Sequence, residues 1–372
     1  MRKKTWFTLL AVLVCTALLL AACGGGNSGS SGSSGGTGGA SQSGGSASSG
    51  GSESSSDSGG GSSQPAEVIE LKWYQPEPDG HPWTDVSRLI GEEIEKNSNG
   101  SLKVTIYPAG TLGTQAEAVN MLRAGSLELL TSGPSILASF YEPVQVFSLP
   151  YMFNDVNHAY KAFESEMGQK IFNEIILEKS GVRTLDVWYF GDRNLTTKGI
   201  AATKPEDLSG QKIRAMDTPI AKSVIESLGG NPIPVNIAEL YMALQTGVVV
   251  GQENPVPTIL AQKFNEVQDH LILTKHSVHM GTVHVAESLW QRLSDEQRQI
   301  VTDALAKYRP EIEKRIVEQT EAGIETLKSQ GMTVVEPDLA AFRANAQSVI
   351  EKNFGSQADW MEVYNAFKAL AD

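Results

Sequence analysis

The chain has 372 residues and a formal net charge of −13 at neutral pH, from 43 acidic and 30 basic residues. An acidic chain of this kind is repelled by nucleic acid and by anionic lipid, so we expect neither as a partner. Its two cysteines, Cys15 and Cys23, both lie near the N-terminus. The rest of the chain therefore has no disulfide, thiol nucleophile or thiolate metal ligand. Its length suffices for two domains.

Residues 1–22 have the pattern of a secretory signal peptide. The basic segment Met1–Lys4 precedes the apolar run Trp6–Leu20, which is short for a stable membrane span. The segment Leu20-Ala21-Ala22-Cys23 resembles a bacterial lipobox, in which Cys23 would be diacylated and become the mature N-terminus. The alternative is an ordinary cleavage site beside an incidental cysteine. We expect export across the cytoplasmic membrane and a lipid anchor at the cell surface or periplasmic face.

Residues 23–64, which begin with this cysteine, are nearly all glycine and serine. Such a composition cannot bury apolar surface and predicts a flexible tether. The segment Gly24–Gly29 fits the pattern GxGxxG only through low complexity, so it indicates no nucleotide site. The folded body is expected to begin near Pro65.

The first part of the body alternates predicted strands with amphipathic helices. Strands are expected at Val68–Tyr74, Leu102–Ile106 and Leu127–Thr131, and Thr114 with Glu117 has capping-box spacing for a helix that ends at Gly125. This order predicts an α/β fold in which ligands lie at the carboxyl ends of the strands. The polar side chains expected at that edge are Gln75, Gln115 and Ser135.

Two further segments are predicted to cross the fold. Val182–Phe190 reads as a strand, and Arg193 follows it. Trp188 and Phe190 lie on one face of that strand and could form a wall of a cleft, although aromatic residues more often belong to the core. The second segment, Leu271–Glu287, contains three histidines. In an extended chain His276 and His284 face one side and His279 the other, so we expect no metal site.

The segment Lys212–Ala261 carries the chemistry that a ligand would need. Arg214 lies in the predicted strand Lys212–Met216, Asn236 and Glu239 have capping-box spacing, and Val248–Val250 reads as a buried strand that runs into the polar loop Gly251–Pro255. A guanidinium on a rigid element suits bidentate binding of a carboxylate. The alternative is that Arg214 pairs with an internal acid.

The last third is mainly helical. Ser294 and Gln297 begin a helical region that extends to Ser329, which is longer than a usual globular helix. Pro310 is expected to kink or divide it. A short strand at Met332–Val335 and further helices follow.

Several motifs together resemble the solute-binding proteins of TRAP (tripartite ATP-independent periplasmic) transporters, of the DctP type. They occur in the family's order across most of the chain. One departure is Val250, at a position where the family often has an aspartate. The motifs are LKVTIYPAGTLG (Leu102–Gly113), MLRAGSLEL (Met121–Leu129), FSLPYMF (Phe147–Phe153), PEDLSGQKIRA (Pro205–Ala215), GGNPIPV (Gly229–Val235) and AELYMALQTGVVVGQENP (Ala238–Pro255).

The resemblance implies a two-domain, periplasmic-binding-protein-like α/β fold with a cleft, crossing strands and a long helix spanning both domains. Domain I would comprise residues 65–191 and 280–319, and domain II residues 192–279 and 320–372. The implied function is that of an extracytoplasmic lipoprotein, which captures an organic acid in the cleft and delivers it to the small and large TRAP membrane subunits. We expect a monomer without cofactor or metal.

The resemblance also implies roles for individual residues. Arg214 would grip a ligand carboxylate, and Arg193 would assist it. Asn254 would hydrogen-bond the ligand, Gln115 would face it, and Asp217 would suit a ligand hydroxyl. The ligand could be a dicarboxylate, a sugar acid or a keto acid.

Two other functions remain open at this stage. An enzyme on the same fold is one, although the body contains no P-loop, HExxH or Gly-x-Ser-x-Gly motif. A receptor subunit that binds the same acid and signals to a kinase is the other. Glu253 beside Asn254 leaves a cation-assisted site possible.

Overall fold

A computed structural model describes residues 68–371, so the predicted signal peptide, Cys23 and the tether lie outside the described residues. The described chain forms one mixed sheet of nine strands flanked by helices. The strands are β1 (Ile69–Tyr74), β2 (Leu102–Tyr107), β3 (Leu129–Ser132), β4 (Val182–Thr197), β5 (Lys212–Ala215), β6 (Asn231–Pro234), β7 (Gly251–Asn254), β8 (His270–Ala286) and β9 (Thr333–Val335). Their order is β2-β1-β3-β8-β4-β7-β5-β6, with β9 beside β8.

Twelve α-helices accompany this sheet in the described residues. They are α1 (Pro82–Asn97), α2 (Gln115–Ala124), α3 (Val156–Glu164), α4 (Glu166–Gln169), α5 (Leu177–Ser180), α6 (Pro219–Ser227), α7 (Ile237–Thr246), α8 (Val256–Ala261), α9 (Glu287–Trp290), α10 (Asp295–Ser329), α11 (Leu339–Phe354) and α12 (Ala358–Lys368). A π-helical segment, Lys170–Ile176, joins α4 to α5. The predicted capping boxes Thr114/Glu117 and Ser294/Gln297 both form.

The two long strands β4 and β8 run through the whole sheet. They pair antiparallel from Val182 opposite Ala286 to Thr197 opposite His270. One part of β8 pairs with β3, whereas the far end of β4 pairs with β7. Register shifts at Tyr189/Gly191 and Arg193/Leu195 bend the ladder near its middle. The proposed domain boundary falls in this bent segment, and the division itself stays a prediction.

The helix α10 is the long helix that the resemblance implied. Val301 and Ile316 belong to the largest apolar cluster of the described chain, and Leu327 belongs to a separate cluster around α7 and α8. Pro310 lies inside α10, which continues through it as one element. The predicted division of the helix at this proline was therefore wrong, because buried residues on both sides hold the helical turns in place.

The polar segment after α7 is a strand rather than the predicted loop. The structure places β7 at Gly251–Asn254, whereas Val248–Val250, predicted as a buried strand, is irregular and leaves Val248 more than half exposed. The polar side chains of β7 can be buried because they form hydrogen bonds with other polar side chains. The predicted capping box of α7 is also absent, since the side chain of Asn236 makes no cap hydrogen bond.

The C-terminal helix α12 packs against the largest cluster. The rings of Phe367 and Phe147 lie 4.6 Å apart, and the carbonyl oxygen of Phe367 is 2.8 Å from His158 Nε2. Lys368 Nζ donates to the carbonyl oxygens of Tyr151 and Met152, at 2.7 and 3.0 Å. The chain thus ends against residues that the proposed division assigns to domain I, although it assigns residues 320–372 to domain II.

Gly281 is required by the packing of Trp83 across the crossing strands. A Cβ atom at Gly281 would lie 1.8 Å from the Trp83 ring, which is itself buried against Phe190 at 4.4 Å between centroids. We expect Gly281→Ala to lower the free energy of unfolding by about 3 kcal/mol, because the indole cannot move aside within a close-packed core. Urea denaturation measures this. Gly133→Ala is the control, because its Cβ would meet only ordinary contact at 3.8 Å, and an equal loss there would contradict the argument.

Candidate ligand-binding site

A buried ion pair joins the crossing strand β4 to β7. Arg193 Nη2 donates to Glu253 Oε1 at 2.9 Å, to the Glu253 carbonyl at 2.8 Å and to Asn254 Oδ1 at 3.0 Å, and Arg193 Nε donates to Glu253 Oε2. The ladder brings the residues together, because Leu195 pairs with Glu253 and Asn194 with Asn254. The alternative that Arg214 pairs with an internal acid is not realised by Glu253, because that buried acid pairs with Arg193.

The Glu253 carboxylate is ionised within this pair. Burial by itself would raise the pKa of Glu253, but the charge of Arg193 and hydrogen bonds from His276 and Arg193 outweigh it and hold the pKa below its usual range. His276 Nε2 lies 3.1 Å from Glu253 Oε2. Because an ionised carboxylate only accepts, this nitrogen donates. With both oxygens used, Glu253 has little capacity left to assist a cation.

Arg214 is buried without an acid partner. It is 4% exposed, and its only hydrogen bond to the described residues runs from Nε to the carbonyl oxygen of Val235, at 2.9 Å. Burial lowers the pKa of Arg214 to about 10. The negative charge of Glu253 opposes this shift, and the positive charge of Arg193 adds to it. The guanidinium therefore stays protonated at neutral pH. Its two terminal nitrogens thus have no partner in the described part of the chain.

Three of the predicted residues lie on neighbouring strands of the sheet. Arg193, Arg214 and Asn254 are each nearly buried, and they lie on β4, β5 and β7. Asn254 is held by internal bonds, since its Nδ2 donates to Gln252 Oε1 at 2.6 Å and its Oδ1 accepts from Arg193. The ionised groups of this arginine cluster, two guanidiniums and the Glu253 carboxylate, leave one excess positive charge.

Comparisons with known proteins show the family to which this chain belongs. The sequence profile of the DctP family, bacterial extracellular solute-binding protein, family 7, matches residues 75–357. The chain belongs to this family of TRAP transporter solute-binding proteins. The family and the fold indicated by the motifs are thereby confirmed.

Three relatives illustrate the similarity. The sialic acid-binding periplasmic protein SiaP of Vibrio cholerae is 33% identical over 73% of this chain and 83% of its own length. The C4-dicarboxylate-binding periplasmic protein DctP of Rhodobacter capsulatus is 30% identical over 77% of this chain and 85% of its own. A TRAP periplasmic solute-binding protein of Roseobacter denitrificans, solved with bound L-galactonate, is 29% identical with a TM-score of 0.76, covering 83% of this chain and all of that one.

The family places the protein outside the cytoplasm, since its members are bacterial extracellular solute-binding proteins. Within residues 68–371, no helix combines the length and apolarity that a bilayer crossing would need.

On the domain I side of this DctP-family protein, the predicted residues are engaged to different degrees. Gln115 is half-buried in the first turn of α2, and its Oε1 accepts from the backbone N–H of Gly133 at 3.2 Å. Gln75 is fully buried, and its Nε2 donates to Ser87 Oγ at 2.6 Å and Thr131 Oγ1 at 2.8 Å. Ser135 is half-buried in a 3₁₀-helix, Pro134–Ser139.

The remaining predicted residues separate into core and surface. Trp188 has no exposed surface, its indole N–H donates to Asp186 Oδ2 at 2.9 Å, and so it lies in the core. Phe190 is nearly buried beside Trp83. Asp217 is exposed and forms an ion pair with Lys222 at 2.8 Å, and no described contact joins it to the arginine cluster.

Glu77 and His279 are site candidates that the sequence reasoning missed. Each is 9% exposed, and neither side chain makes a hydrogen bond with any described residue. Burial raises the pKa of Glu77 to about 7, although the positive charge of Arg193 acts to lower it. Burial, and then the charge of Arg193, lower the pKa of His279 to about 3. One signal for Glu77 was available: an acid between two prolines directly after the first strand lies at its carboxyl end.

Two other histidines of β8, His276 and His284, make side-chain hydrogen bonds. His276 contacts Glu253, and His284 lies 3.1 Å from Thr184 Oγ1 and 2.7 Å from Thr282 Oγ1. Over the described part of the chain, no three His, Cys, Asp or Glu side chains are arranged to hold a metal ion.

Proposed function

We propose that this protein binds an organic acid between its two domains and delivers it to the small and large TRAP membrane subunits. The observation that carries the proposal is the buried guanidinium of Arg214, which has no acid partner. A buried charge without a counter-ion is unfavourable. A ligand carboxylate would offset that cost and accept two parallel hydrogen bonds from the terminal nitrogens.

The neighbouring groups can assist in the same cleft. Arg193 is fixed by Glu253 through Nε and Nη2, which leaves Nη1 without a partner in the described chain and available to a second ligand oxygen. Asn254 holds this arginine in place and would contact the ligand from β7. Gln115 Nε2 has no partner among residues 68–371 and is available to the ligand, and Phe190 would supply an apolar contact. The roles of Gln75, Ser135, Trp188 and Asp217 stay predictions.

The relatives support a carboxylate ligand without deciding which one. By their descriptions, the Vibrio protein binds sialic acid, the Rhodobacter protein C4-dicarboxylates, and the Roseobacter structure contains L-galactonate. These ligands share a carboxylate and differ in their other groups, as expected if the arginine contact is common and the rest of the site is specific.

The proposed mode of action is based on the fold and on the predicted signal peptide. We infer that the protein is exported, anchored through a diacylated Cys23 on a flexible tether, monomeric and without enzymatic activity. An acid that contacts both domains stabilises the closed state by its differential affinity, and the membrane subunits would recognise that state. A sensor receptor would bind the same ligand, so neighbouring genes for two membrane subunits rather than a kinase would favour transport.

Calorimetric titration of ligand-stripped protein tests the binding function. The full chain would be unfolded, washed and refolded, then titrated with uronates, aldonates, dicarboxylates and keto acids. Neutral sugars and amino acids serve as matched controls. We expect one acid class to bind with one-to-one stoichiometry and a Kd of about 1 μM or tighter, or roughly 8 kcal/mol. Binding of neutral solutes alone would contradict the proposal.

A further inference from the structure

We propose that a small oxyanion with the chemistry of phosphate or sulfate binds in a cavity between α11 and α12, where Arg343 and Lys368 hold it. This second site is separate from the arginine cluster. The cavity has a volume of about 160 Å³, and we call it the anion pocket. The side chains that give it its chemistry belong to the turn at residues 150–151 and to the two helices: Pro150, Tyr151, Arg343, Gln347, Tyr364 and Lys368.

The two cations of the anion pocket have no acid partner in the described chain. Within residues 68–371, neither Arg343 nor Lys368 forms an ion pair, and Arg343 makes no hydrogen bond. Glu351, on the same helix as Arg343, accepts from Gln347 Nε2 at 2.8 Å. Burial, and then the charge of Arg343, lower the pKa of Lys368, so the two cations repel each other. An anion between them would remove this repulsion.

The charge of the pocket contrasts with that of the whole protein. The chain has a net charge of −13, which disfavours the binding of anions at most of its surface. A pair of unneutralised cations at one cavity is therefore a local exception. Because two positive charges line the cavity, a dianion would neutralise both of them.

The donors of the pocket are held in place and have unused N–H groups. The Arg343 guanidinium lies over the Tyr151 ring, 4.5 Å from its centroid. Lys368 Nζ donates to the carbonyl oxygens of Tyr151 and Met152, at 2.7 and 3.0 Å, so one of its three N–H groups remains for a ligand. A guanidinium with free N–H groups can bind two oxygens of one oxyanion in parallel.

The size of the pocket favours a small ion. A volume of about 160 Å³ is below the roughly 300–1,000 Å³ of pockets that bind larger small molecules. It accommodates an inorganic oxyanion with a few waters, each of which occupies about 30 Å³ in the liquid. An organic acid that fills the predicted ligand cleft would be too large to be enclosed here.

The anion pocket adjoins a strained turn in the FSLPYMF motif. Tyr151 has a φ of +54°, which is rare for a bulky side chain. Its backbone N–H donates to the His276 carbonyl oxygen at 2.7 Å, and its hydroxyl donates to the Thr274 carbonyl oxygen at 3.0 Å. Lys368 holds the same turn through its carbonyl oxygens. We expect a bound oxyanion to stabilise the turn, because it offsets the charge repulsion that opposes this position of Lys368.

The pocket also lies where two apolar clusters meet along α11. Phe342 and Ala346 belong to the cluster that contains Tyr151, whereas Ile350 and Phe354 belong to the largest cluster. Arg343 thus extends from the first part of the helix, and Lys368 from α12, which packs on the largest cluster. An oxyanion bound to both cations would connect these two parts of the protein.

Calorimetric titration with inorganic ions tests the site. The ligand-stripped full chain is titrated with sodium phosphate and with sodium sulfate, at an ionic strength kept constant with sodium chloride. We expect one-to-one binding with a Kd of about 1 mM, because two or three charge-assisted contacts give an affinity of that order. The absence of saturable binding of both ions would overturn the proposal.

Variants of the two cations locate the bound ion. Arg343→Gln should weaken phosphate binding at least about tenfold and leave the protein folded, since its side chain makes no hydrogen bond in the described chain. Lys368→Gln should weaken it similarly, and a melting curve shows whether the lost contacts to the turn unfold that variant. Arg292→Gln, which removes an exposed arginine just after α9, is the control. Unchanged phosphate binding in Arg343→Gln would overturn the assignment.

A second comparison separates the anion pocket from the predicted ligand cleft. The arginine cluster also carries excess positive charge, so Arg214→Met is titrated with phosphate in parallel. We expect it to bind phosphate as the wild type does. If Arg214→Met abolishes phosphate binding and Arg343→Gln does not, the ion lies in the cleft and the anion pocket is refuted. The organic-acid function does not depend on this outcome.

Hydrogen exchange gives a local readout at the turn. With phosphate at ten times its Kd, exchange of the Tyr151 amide through openings that release the ion should slow about tenfold in the wild type and remain unchanged in Arg343→Gln. Phosphate also stabilises proteins generally by exclusion from their surfaces, and this effect is the same in both proteins. Equal slowing in the wild type and in Arg343→Gln would show only the general effect and overturn the local site.

Discussion

Replacing Arg214 with methionine is expected to weaken organic-acid binding about a thousandfold, a loss of about 4 kcal/mol. The guanidinium is nearly buried and has no acid partner in the described chain, so the ligand carboxylate would be its counter-ion. Removing it leaves Arg193 and Glu253 as a neutral pair, and the carboxylate would enter a desolvated cleft without compensation. Calorimetric titration with the best acid from the panel measures the change.

Folding and binding should separate in this variant. Arg214→Met removes a buried, unpaired charge from the ligand-free protein, so its melting temperature should be unchanged or higher, while the stabilisation by added acid should disappear. Arg214→Lys should recover only part of the affinity because an ammonium cannot bind bidentately. Arg88→Met is the control, since Arg88 pairs with Asp79 on the surface. Acid binding by Arg214→Met at wild-type affinity would refute the arginine contact.

Replacing Glu253 with leucine is expected to lower the free energy of unfolding by about 3–5 kcal/mol. The carboxylate accepts from Arg193 and His276 and is the counter-ion of the buried Arg193 guanidinium, and its charge also acts on Arg214. Without it Arg193 loses two of its four hydrogen bonds, and the cleft carries two unpaired charges. Chemical denaturation of the ligand-free protein measures the loss, and added acid should recover part of it.

A double variant separates the ion pair from packing. Arg193→Met together with Glu253→Leu removes both charges, so most of the lost stability should return. The pKa of Glu253 is depressed in the folded state, so its contribution is complete above the unfolded value near 4.5 and is lost as the pH falls below it. Single and double variants of equal stability would show that the pair acts through shape alone.

The long elements could be read from the sequence because their signals are local. The capping boxes at Thr114 and Ser294 depend on residues three positions apart, and both form. Errors arose where tertiary contacts override local preference. Gly251–Asn254 is polar and turn-like in sequence, but pairing with β4 makes it a buried strand. Pro310 breaks isolated helices, but packing on both sides holds α10 continuous.

The motifs singled out Arg193, Arg214 and Asn254, which the fold buries on the neighbouring strands β4, β5 and β7, and their roles in binding stay predictions. Sequence could not assign their partners, because the ion pair of Arg193 with Glu253 joins strands separated by two helices and a further pair of strands. Glu77 was passed over because its unusual protonation depends on burial by distant segments. Asp217 has the right chemistry, but its side chain points into solvent and pairs with Lys222.

The sequence by itself determined the family and most of the order of strands and helices, since these depend on motifs and short-range spacing, and it singled out the residues that we predict to bind a carboxylate. Only the tertiary structure decided which arginine is neutralised within the protein and which is left for a ligand. That distinction depends on the register between β4 and β7, which directs the Glu253 carboxylate to Arg193 and leaves Arg214 unpaired. Burial then decides the charge of Glu77 and His279, because the free energy of ionisation depends on the surrounding atoms, which distant parts of the chain supply.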